Sequence, residues 1–524
     1  PGMEGASIAA IDIAIIVVYF AVVLGIGLYV ARRIEGGEDL FLAGRSLRWP
    51  AIGGSLFASN LSSTTLIGLA GAAYTSGIAV ANYEWMAGIV LVFMAFFFIP
   101  VYLKSKIFTV PEYLEKRFNR TARLYFSAIT ILLSIIVDTA GGIYAGSVVL
   151  QTFFPDLVLW QTCVVLALIA GLYTAAGGLA AVVYTDVIQA AVLIVGSAIL
   201  TLMVFSEFSF SWAEAKAAIP DGHLSLIRPL DDGSLPWLGT LIGLPVLGFW
   251  YWATNQYITQ RILGARSLRD AQWGANLGAA LKLLPLFIMV LPGAMAIGLF
   301  PDIENGDKVF PTLIAEILPV GLTGLVLAGL VAAIMSSIDS TLNSASTLVI
   351  KDFVERPGRH FSDKKLSFYG RISTLVLMAI AAAWAPQIAN FGGLFAYLQQ
   401  AFSILTPPVV AVFLFGMFSK MGGGRSAVIT LLAGHALGIA FFAAGELGIW
   451  SVHFTITAGI LTAMSAVIFY VIARQEGTPE EAKTEGLTYD PGDASEEGLA
   501  TLARPSVQGA LVLALTAVTI VAFW

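Results

Sequence analysis

Charged side chains are scarce in this sequence. Of its 524 residues only 12% are charged and 58% are hydrophobic, and the mean hydropathy is +0.84. Soluble domains carry about 25% charged residues, so the composition excludes a globular enzyme held by a single membrane anchor. It predicts an all-α polytopic membrane protein surrounded by the lipid bilayer.

Cysteine and histidine are also rare. The single cysteine, Cys163, excludes a disulfide framework and a cysteine-based metal site. The four histidines are scattered without the spacing of metal ligands, and the sequence has no glycine-rich phosphate loop and no basic nucleic-acid patch. We therefore expect no nucleic-acid partner, no obligate protein partner and no enzymatic activity.

Long apolar runs fill most of the chain instead. A membrane span needs about 20 apolar residues, and the sequence has about 14 such runs, of which 49–74, 236–260 and 389–416 carry internal breaks. With both termini outside, nearly all Lys and Arg residues, Arg261 included, fall in cytoplasmic loops, as the positive-inside rule requires. Lys282 remains inside a span. The sequence thus predicts a multi-pass protein of the cell membrane with extracytoplasmic termini.

Two blocks of five runs share a layout, since each begins with an interrupted polar span. Five is an odd number, so the second block lies inverted relative to the first, which is the plan of many secondary transporters. The predicted divisions are a first span and cytoplasmic loop (3–48), core repeat 1 (49–206), an external loop (207–235), core repeat 2 (236–416), two additional helices (417–474), a cytoplasmic linker (475–506) and a last span (507–524).

The most polar stretch within a span is Ser55 to Gly71, whose centre consists of Ser, Asn and Thr. Backbone groups in lipid must be satisfied internally, so this run is costly unless it borders a wet or ion-filled site. One interpretation is a broken helix that holds an ion and a substrate near the bilayer midplane. The alternative is a helix whose hydroxyls bond their own carbonyls or a neighbouring helix.

A second hydroxyl-rich stretch covers residues 333–346. Helical residues three, four and seven positions apart share one face, and that face carries alanine and serine here. Hydroxyl and carbonyl oxygens suit an alkali cation better than a transition metal. With carbonyls from the break they predict a five-oxygen sodium site, unless the serines serve only helix packing. The predicted members are Ala58, Leu61, Ala333, Ser336 and Ser337.

Two carboxylates within predicted spans, Asp186 and Asp339, are functional candidates because charged groups are costly there. With Ser340 they form a candidate second cation site. The alternatives are a proton carrier and a hydrogen-bond partner between helices, and the residue types do not decide among them.

A further set of polar residues suits a polyol. Lys282 lies well inside its span, and a buried ammonium needs an acceptor. We expect Glu84 to be that acceptor, alone or with a substrate hydroxyl, although a purely structural pair is the alternative. Aromatic runs lie beside these residues, as in small-ligand sites, while isolated aromatics are typical of an interfacial belt. The set comprises Glu84, Asn255, Lys282 and Gln399.

Several stretches resemble the sodium:solute symporter family, and within it the sodium/glucose cotransporter branch. Among them are SLFASNLSS (55–63), TVPEYLEKRF (109–118), WYWATNQYITQR (250–261) and MSSIDSTLNSAS (335–346). The resemblance covers nearly the whole chain. It implies a LeuT-type core of two inverted five-helix repeats with extra helices at both ends.

The resemblance also implies sodium-coupled uptake of a sugar by alternating access, with a hexose such as glucose or galactose as substrate and one or two Na⁺ ions as cosubstrates. It assigns the sodium and sugar contacts to the residues named above. It further implies that Tyr257 lies beneath the sugar as an inner gate and that Tyr83 and Phe395 help to close the outer side.

Two positions depart from the pattern of that branch. Thr65 stands where sugar transporters tend to have Gln or His, and its shorter side chain removes one long polar reach towards the sugar. Asp339 stands where Ser, Thr or Ala is common, and a carboxylate there strengthens a second cation site or carries a proton.

Other functions stay open at the level of sequence. A sodium symporter for inositol, another polyol, a sugar acid or an amino acid has the same fold, although an amino-acid carrier does not need the set Glu84, Lys282 and Gln399. A transporter-like sensor or channel is a further alternative. A sensor usually carries a soluble signalling domain, and 475–506 is too short for one.

Overall fold

The computed structural model describes residues 8–61, 63–303, 306, 309–390 and 394–524. Within these residues the secondary structure is helical apart from two isolated β-bridges, which confirms the all-α prediction. The α-helices are α1 (Ala10–Ala31), α2 (Gly37–Leu42), α3 (Trp49–Asn60), α4 (Ser63–Ser76), α5 (Asn82–Lys104), α6 (Val110–Arg117), α7 (Arg120–Leu133), α8 (Ala140–Phe153), α9 (Leu159–Ser206), α10 (Trp212–Ala218), α11 (Trp237–Ile242), α12 (Leu244–Phe249), α13 (Gln256–Leu263), α14 (Leu268–Leu281), α15 (Leu291–Leu299), α16 (Val309–Ile317), α17 (Leu322–Leu348), α18 (Asp363–Trp384), α19 (Leu394–Phe418), α20 (Gly424–Glu446), α21 (Phe454–Glu476) and α22 (Pro505–Ala522).

Ten helical segments in the described part of the chain are long and apolar enough to cross a membrane. Two shorter apolar stretches are also present, Leu159–Leu172 within α9 and Phe402–Phe418 within α19. Four short π-helical turns continue or connect these helices: Ser134–Thr139 joins α7 to α8, Trp250–Thr254 follows α12, Leu286–Val290 precedes α15, and Val349–Val354 follows α17. The chain is a multi-pass membrane protein.

Two predicted breaks are present in the structure. Helix α3 ends at Asn60 and α4 begins at Ser63, with Leu61 between them at φ −80° and ψ 79°, outside the helical region. Further along the chain, Asn255 is extended at φ −77° and ψ 124° between the π-helical turn Trp250–Thr254 and α13. Each break leaves main-chain groups without their helical partners. The third predicted break, in 389–416, falls partly outside the described residues.

Helix α9 contains a sharp turn at Gly178, where φ is +58°. A Cβ atom there would lie only 2.1 Å from the carbonyl oxygen of Leu40. Both the positive φ and the close approach of α2 require glycine. The turn divides α9 into two parts, which the sequence predicts as separate spans.

Helix α17 forms the centre of the molecule. In the most apolar stretch of Leu322–Val354, 87% of the residues are buried inside the protein. Helix α17 packs against α1, α3, α9 and α18. Small residues on the neighbouring helix permit this close packing, since Gly142 and Gly146 of α8 face Ile338 and Ile334 of α17. A polar side chain on α17 is therefore held away from lipid.

Residues 207–235 cover one end of the helix bundle, which we call the loop end. Asn82 donates a hydrogen bond from its side chain to the carbonyl of Leu226 at 2.7 Å, and the backbone N–H of Ile78 donates to the carbonyl of His223 at 2.7 Å. The N–H of Leu226 in turn donates to the carbonyl of Phe523, just beyond α22, at 2.9 Å. Loop, core and last helix are thus joined at this end.

Residues 477–504 cover the opposite end, which we call the linker end. Their polar composition is typical of a mobile linker, but hydrogen bonds fix them to several helices. Tyr113 of α6 donates to the carbonyl of Leu487 at 2.7 Å, and Trp273 of α14 donates to the carbonyl of Ala503 at 2.8 Å. The segment therefore follows the surface of the bundle between α21 and α22.

Candidate functional site

The break between α3 and α4 lies against α17. The hydroxyl of Ser337 donates a hydrogen bond to the backbone carbonyl of Ser59 at 3.2 Å. Ala58, Leu61 and Ala333 are buried in the same cluster. The two helices predicted to supply the sodium ligands are thus in contact through oxygen atoms of the type that sodium binds.

Three predicted residues have side chains outside the described part of the chain. They are Ser336 of the sodium site, Phe395 of the outer gate and Gln399 of the substrate set.

Asp186 of α9 accepts hydrogen bonds from several groups at the side of α3. The hydroxyls of Ser55 and Ser59 donate to Oδ2 at 2.6 and 2.9 Å, and Arg261 Nη2 forms an ion pair with it at 3.2 Å. Arg261 also donates to Ser55 and to Ser340 of α17, and Ser340 donates to Ser59 at 3.1 Å. An arginine thus compensates the carboxylate that the sequence assigns to a second cation site.

The placement of Arg261 in a loop was wrong, because it belongs to helix α13. Its side chain is only 1% exposed, and it lies among α3, α9 and α17. A buried guanidinium is tolerated here because Asp186 neutralises it and hydroxyls and a carbonyl accept its remaining protons.

Asp339 has different contacts from Asp186 and Ser340. The hydroxyl of Thr174 of α9 donates to its Oδ1 at 3.3 Å. Its Oδ2 is buried and has no hydrogen-bond partner among the described residues. The described contacts therefore bring Asp186 and Ser340 together, while Asp339 points towards the first half of α9.

Lys282 at the end of α14 is buried and forms the predicted ion pair with Glu84 of α5. Its Nζ lies 2.6 Å from Glu84 Oε2 and also donates to the side-chain oxygen of Asn60 at the break. The ammonium lies 5.3 Å from the centre of the Trp252 ring and 5.8 Å from that of Phe57. Aromatic faces attract a cation at such distances, so Lys282 is held from several sides.

A cavity of about 550 Å³ lies beside this ion pair. Towards the linker end, the cavity is lined by residues beside the two breaks. Towards the loop end, it reaches Ser234, Leu235 and Phe454. The volume and the mixture of aromatic walls with a few polar groups are typical of a small-molecule site. Polar and aromatic residues around it include Ser59, Asn60, Thr65, Tyr83, Glu84, Asp138, Trp250, Tyr251, Trp252, Tyr257, Ser337 and Thr341.

Two tyrosines form the floor of the cavity towards the linker end. The hydroxyls of Tyr251 and Tyr257 are hydrogen-bonded to each other, and Tyr251 also bonds the side chain of Asn60. A polar chain therefore runs from Glu84 through Lys282 and Asn60 to the two tyrosines. The residue predicted as an inner gate, Tyr257, lies at the end of that chain.

The predicted substrate residues Thr65 and Asn255 occupy different places. Thr65 lines the cavity, and its hydroxyl donates to the carbonyl of Asn60 at 3.2 Å. Asn255 is buried at the break before α13 and is outside the described lining of the cavity. Its side-chain oxygen has no hydrogen-bond partner among the described residues. Thr65 therefore borders the cavity, whereas Asn255 belongs to the break.

Hydrogen bonds close the protein on the linker-end side of Tyr251 and Tyr257. Gln260 of α13 donates to the hydroxyl of Thr347 on α17 at 2.7 Å and to the carbonyl of Phe41 at 2.5 Å. The carbonyl of Gly264 accepts from the N–H of Leu47 at 3.0 Å. With the pair of Arg261 and Asp186, these bonds join α13 to its surroundings at the linker end.

The predicted site set did not include Asn60, Tyr251 and Asp138, although all three border the cavity. Asn60 ends a helix next to a predicted break, and Tyr251 lies in a predicted aromatic run. Asp138 is a carboxylate within an apolar span. The signals were present, but the pairing of Asn60 with Lys282 depends on how α3 and α14 cross, which no local pattern contains.

Comparison with known proteins identifies the group to which the chain is related. The model of the sodium:solute symporter family matches residues 40–434. The chain belongs to the sodium:solute symporter family. Its cotransported ion is accordingly sodium.

The sodium/glucose cotransporter 1 of Sus scrofa is 37% identical and is aligned over 88% of this chain and 78% of its own length. The sodium/glucose cotransporter of Vibrio parahaemolyticus is 37% identical over 81% of this chain and 83% of its own length. The sodium/mannose cotransporter of Bos taurus is 38% identical over 83% and 79%. This symporter thus has sugar cotransporters among its relatives along most of its length.

Two solved structures share the fold of this symporter. A Na⁺-coupled sialic acid symporter in its substrate-bound outward-open state has a TM-score of 0.80 at 24% identity and covers 90% of this chain and 99% of that one. The transporter Mhp1 of the nucleobase-cation-symport-1 family has a TM-score of 0.58 at 13% identity, over 85% and 97%. The fold is that of the LeuT-type transporters, as the resemblance implied.

Proposed function

We propose that this protein is a sodium-coupled symporter that imports a neutral sugar, a hexose such as glucose or galactose, by alternating access. The observation that carries the proposal is the paired set of Glu84, Lys282 and Asn60 beside a cavity of about 550 Å³. The identity of 37% with sodium/glucose cotransporters over most of the chain supports it.

The paired charges suit a neutral polyol. Glu84 and Lys282 neutralise each other at 2.6 Å, so the pair attracts neither an anion nor a cation strongly. Each group keeps further hydrogen-bonding capacity, since a carboxylate accepts several bonds and an ammonium donates three. Thr65 adds a hydroxyl, Trp252 adds an apolar face, and Asn255 and Gln399 complete the proposed substrate set.

Sodium acts at the contact between the break and α17. The ligands are the carbonyls of Ala58, Leu61 and Ala333 and the hydroxyls of Ser336 and Ser337. A ligand shifts a conformational equilibrium by its differential affinity for the two states. Because sodium binds both α3 and α17, it stabilises the state in which they are in contact, which is the state with the cavity reaching the loop end.

Transport requires the closure at the linker end to open. The bonds of Gln260 and the ion pair of Arg261 with Asp186 hold α13 against α9 and α17. When they separate, Tyr251 and Tyr257 no longer close the floor, while Tyr83 and Phe395 close the outer side. Asp186, Ser340 and Asp339 make a second cation site, for sodium or a proton, once Arg261 has moved away.

The proposal also includes the number of membrane spans and their orientation. The ten long segments, the two shorter apolar helices and the two broken segments (49–76 and 237–263) give fourteen spans. They form two inverted repeats of five with boundaries near 49–206 and 236–416. The loop end faces the outside of the cell membrane, the linker end faces the cytoplasm, and both termini are extracytoplasmic.

Uptake into proteoliposomes tests the function. Labelled glucose, galactose, mannose, inositol and an amino acid are presented with an inward sodium gradient, and the control replaces sodium with potassium. Accumulation of at least one hexose that depends on the sodium gradient is expected. Sodium-driven accumulation of inositol or the amino acid alone would move the substrate to that class, and uptake without sodium dependence would overturn the symporter.

A further inference from the structure

A second cavity, which we call the lipid-side groove, lies on the outside of the helix bundle. Its volume is about 400 Å³, and it lies between the π-helical turn Val349–Val354 and α18. Ile372 and Val376 in its wall are 43% and 52% exposed, so the groove is open to the surroundings of the bundle. Apart from Tyr369 and Ser373, its lining is apolar.

The groove lies near the linker end, where a short connection joins Val354 to α18. Val354 and Phe361, on either side of a tight turn in this connection, both line the groove. In the turn, the N–H of Arg359 donates to the carbonyl of Arg356 at 2.9 Å, and Gly358 has φ +83°. The turn thus holds the two arginines next to each other beside the groove.

Lys365 in the first turn of α18 lies on the same side of the helix as the groove. It is four residues before Tyr369 and seven before Ile372, and both of these line the groove. Residues at such spacings share one face of a helix. A lysine from α18 and two arginines from the turn therefore border the groove at its linker end.

Basic residues outnumber the available carboxylates in this region. Glu355 is paired with Lys351 at 2.9 Å, and Asp352 with Arg123 at 2.6 Å. Asp363 is exposed and is the one carboxylate left between residues 355 and 366. The exposed basic residues without an ion pair in the described part of the chain are Arg356, Arg359, Lys364 and Lys365. The groove is therefore bordered by an excess of three positive charges.

A hydroxyl lies deeper in the groove. The Oγ atom of Ser373 is buried and has no hydrogen-bond partner among the described residues. Ser373 lies eight residues beyond Lys365 on α18, which is about 12 Å along the helix axis, and Val376 and Leu377 follow it in the lining. Basic groups, a hydroxyl donor and an apolar surface thus follow one another along the groove.

We propose that the lipid-side groove binds an anionic phospholipid. The phosphate lies among Arg356, Arg359 and Lys365, while an ester carbonyl accepts a hydrogen bond from Ser373. An acyl chain covers the apolar lining. Basic pockets between membrane helices at the cytoplasmic side suit acidic headgroups, whereas a zwitterionic headgroup brings its own cation next to the three positive charges. The site is independent of the transported solute, and only its assignment to the cytoplasmic leaflet rests on the proposed function.

Native mass spectrometry of the purified protein tests the site, with dioleoyl phosphatidylglycerol and dioleoyl phosphatidylcholine added at equal concentration. Wild type is expected to retain phosphatidylglycerol in preference. In the triple variant, the ratio of bound phosphatidylglycerol to bound phosphatidylcholine is expected to fall about tenfold or more, because each basic side chain near an anionic headgroup adds to the attraction. The triple variant combines Arg356→Gln, Arg359→Gln and Lys365→Gln.

The matched control removes two arginines and one lysine elsewhere at the linker end. It combines Lys420→Gln, Arg425→Gln and Arg474→Gln, all at exposed positions. Its lipid ratio is expected to equal that of wild type. Because the net charge changes equally in both triple variants, an equal fall in the two would show that the overall charge decides lipid retention and would overturn the proposal.

Val376→Trp tests the groove itself while leaving the basic residues intact. The indole fills the space of an acyl chain, so bound phosphatidylglycerol is expected to fall about fivefold or more. Leu375→Trp is the control, since Leu375 is 37% exposed and lies outside the described lining. An unchanged ratio in the first triple variant, or full retention in Val376→Trp, would overturn the proposal. Sodium-driven hexose uptake by wild type is measured separately and tests the proposed function whatever the lipid result.

Discussion

At the scale of single residues, the site depends on groups that are buried and paired. The ammonium of Lys282 and the guanidinium of Arg261 are each about 1% exposed, and each contacts one carboxylate and at least one neutral oxygen. Such pairs contribute little net stability, but removing one partner leaves a buried charge alone. Single substitutions of these paired residues therefore test whether each side chain serves binding or stability.

The ion pair of Glu84 and Lys282 is predicted to show strong coupling. Glu84→Gln and Lys282→Gln each leave one buried charge without its partner, so each is expected to lower stability by about 3 kcal/mol. The double variant removes both charges and is expected to lose less than the sum. Thermal unfolding of the four proteins in detergent measures the coupling, and additive losses would contradict it. Hexose uptake is expected to fall in all three variants.

Ser337 is predicted to bind sodium. Ser337→Ala removes one oxygen ligand, and the sodium concentration at half-maximal uptake is expected to rise about tenfold, as for the loss of roughly 1.4 kcal/mol. Ser344→Ala is the matched control, because Ser344 is a buried serine of the same helix and its hydroxyl has no partner among the described residues. Equal sodium dependence in the two variants would exclude Ser337 as a ligand.

At the scale of helices, the ends and breaks are the features that the local sequence predicts best. The run of Ser, Asn and Thr predicted the break after Asn60, because backbone groups in lipid need partners and such side chains accompany irregular backbone. The burial of Arg261 was not predictable, since its partner Asp186 lies 75 positions earlier in the chain. Charge counting places arginines in loops, and only tertiary packing places this one inside.

Arg117 is predicted to hold the end of α19. Its guanidinium is buried and donates to four carbonyls that have no helical partners, so Arg117→Ala is expected to destabilise the protein by about 3 kcal/mol or more. Arg117→Lys is expected to be intermediate, since an ammonium has three donors instead of five. The control is Lys116→Ala at the exposed neighbouring position. Thermal unfolding measures each, and equal stability of the alanine variants would contradict the role. The four acceptors are the carbonyls of Gly416, Ser419, Met421 and Gly422.

The turn at the rim of the cavity is predicted to depend on Asp232. Burial raises the pKa of this carboxyl, but hydrogen bonds from the Ser234 hydroxyl and from the N–H groups of Leu235 and Ser234, together with Arg228, outweigh burial and lower it to about 2. A lowered folded pKa stabilises the turn above the unfolded value of about 4, and this contribution is lost as the pH falls through about 2.

Asp232→Asn is expected to speed amide exchange at Ser234 and Leu235 at pH 6 by no more than about fivefold, because the turn is partly exposed and salt screens it. In wild type, protection corrected for the intrinsic rate is expected to stay constant from pH 7 to 4. Asp231→Asn at the exposed neighbouring position is the control. Protection that already declines at pH 5 would show that another group titrates.

At the scale of the whole molecule, the cavity reaches the loop end while hydrogen bonds close the linker end. Gln260→Ala removes two bonds that join α13 to α17 and α2, so the state open at the linker end is expected to gain population about fivefold or more. Thiol labelling of Ser344→Cys in a Cys163→Ser background measures it, and sodium is expected to slow the labelling.

The control for that experiment is Gln272→Ala. Gln272 donates to the carbonyl of Ala95 at 3.0 Å and so joins α14 to α5, a pair of helices that does not include α13. Its loss is expected to leave the labelling rate unchanged. An equal increase in both variants would indicate general loosening instead of opening at the linker end.

The bond between Leu226 and the carbonyl of Phe523 has a consequence for biosynthesis. The ribosome makes the chain from the N-terminus, so α22 enters the membrane after every helix that borders the cavity. Residues 207–235 are by then long outside the exit tunnel, yet one of their backbone groups must wait for that helix to find its acceptor. The rim of the cavity is therefore the last part of the binding site to reach its final form.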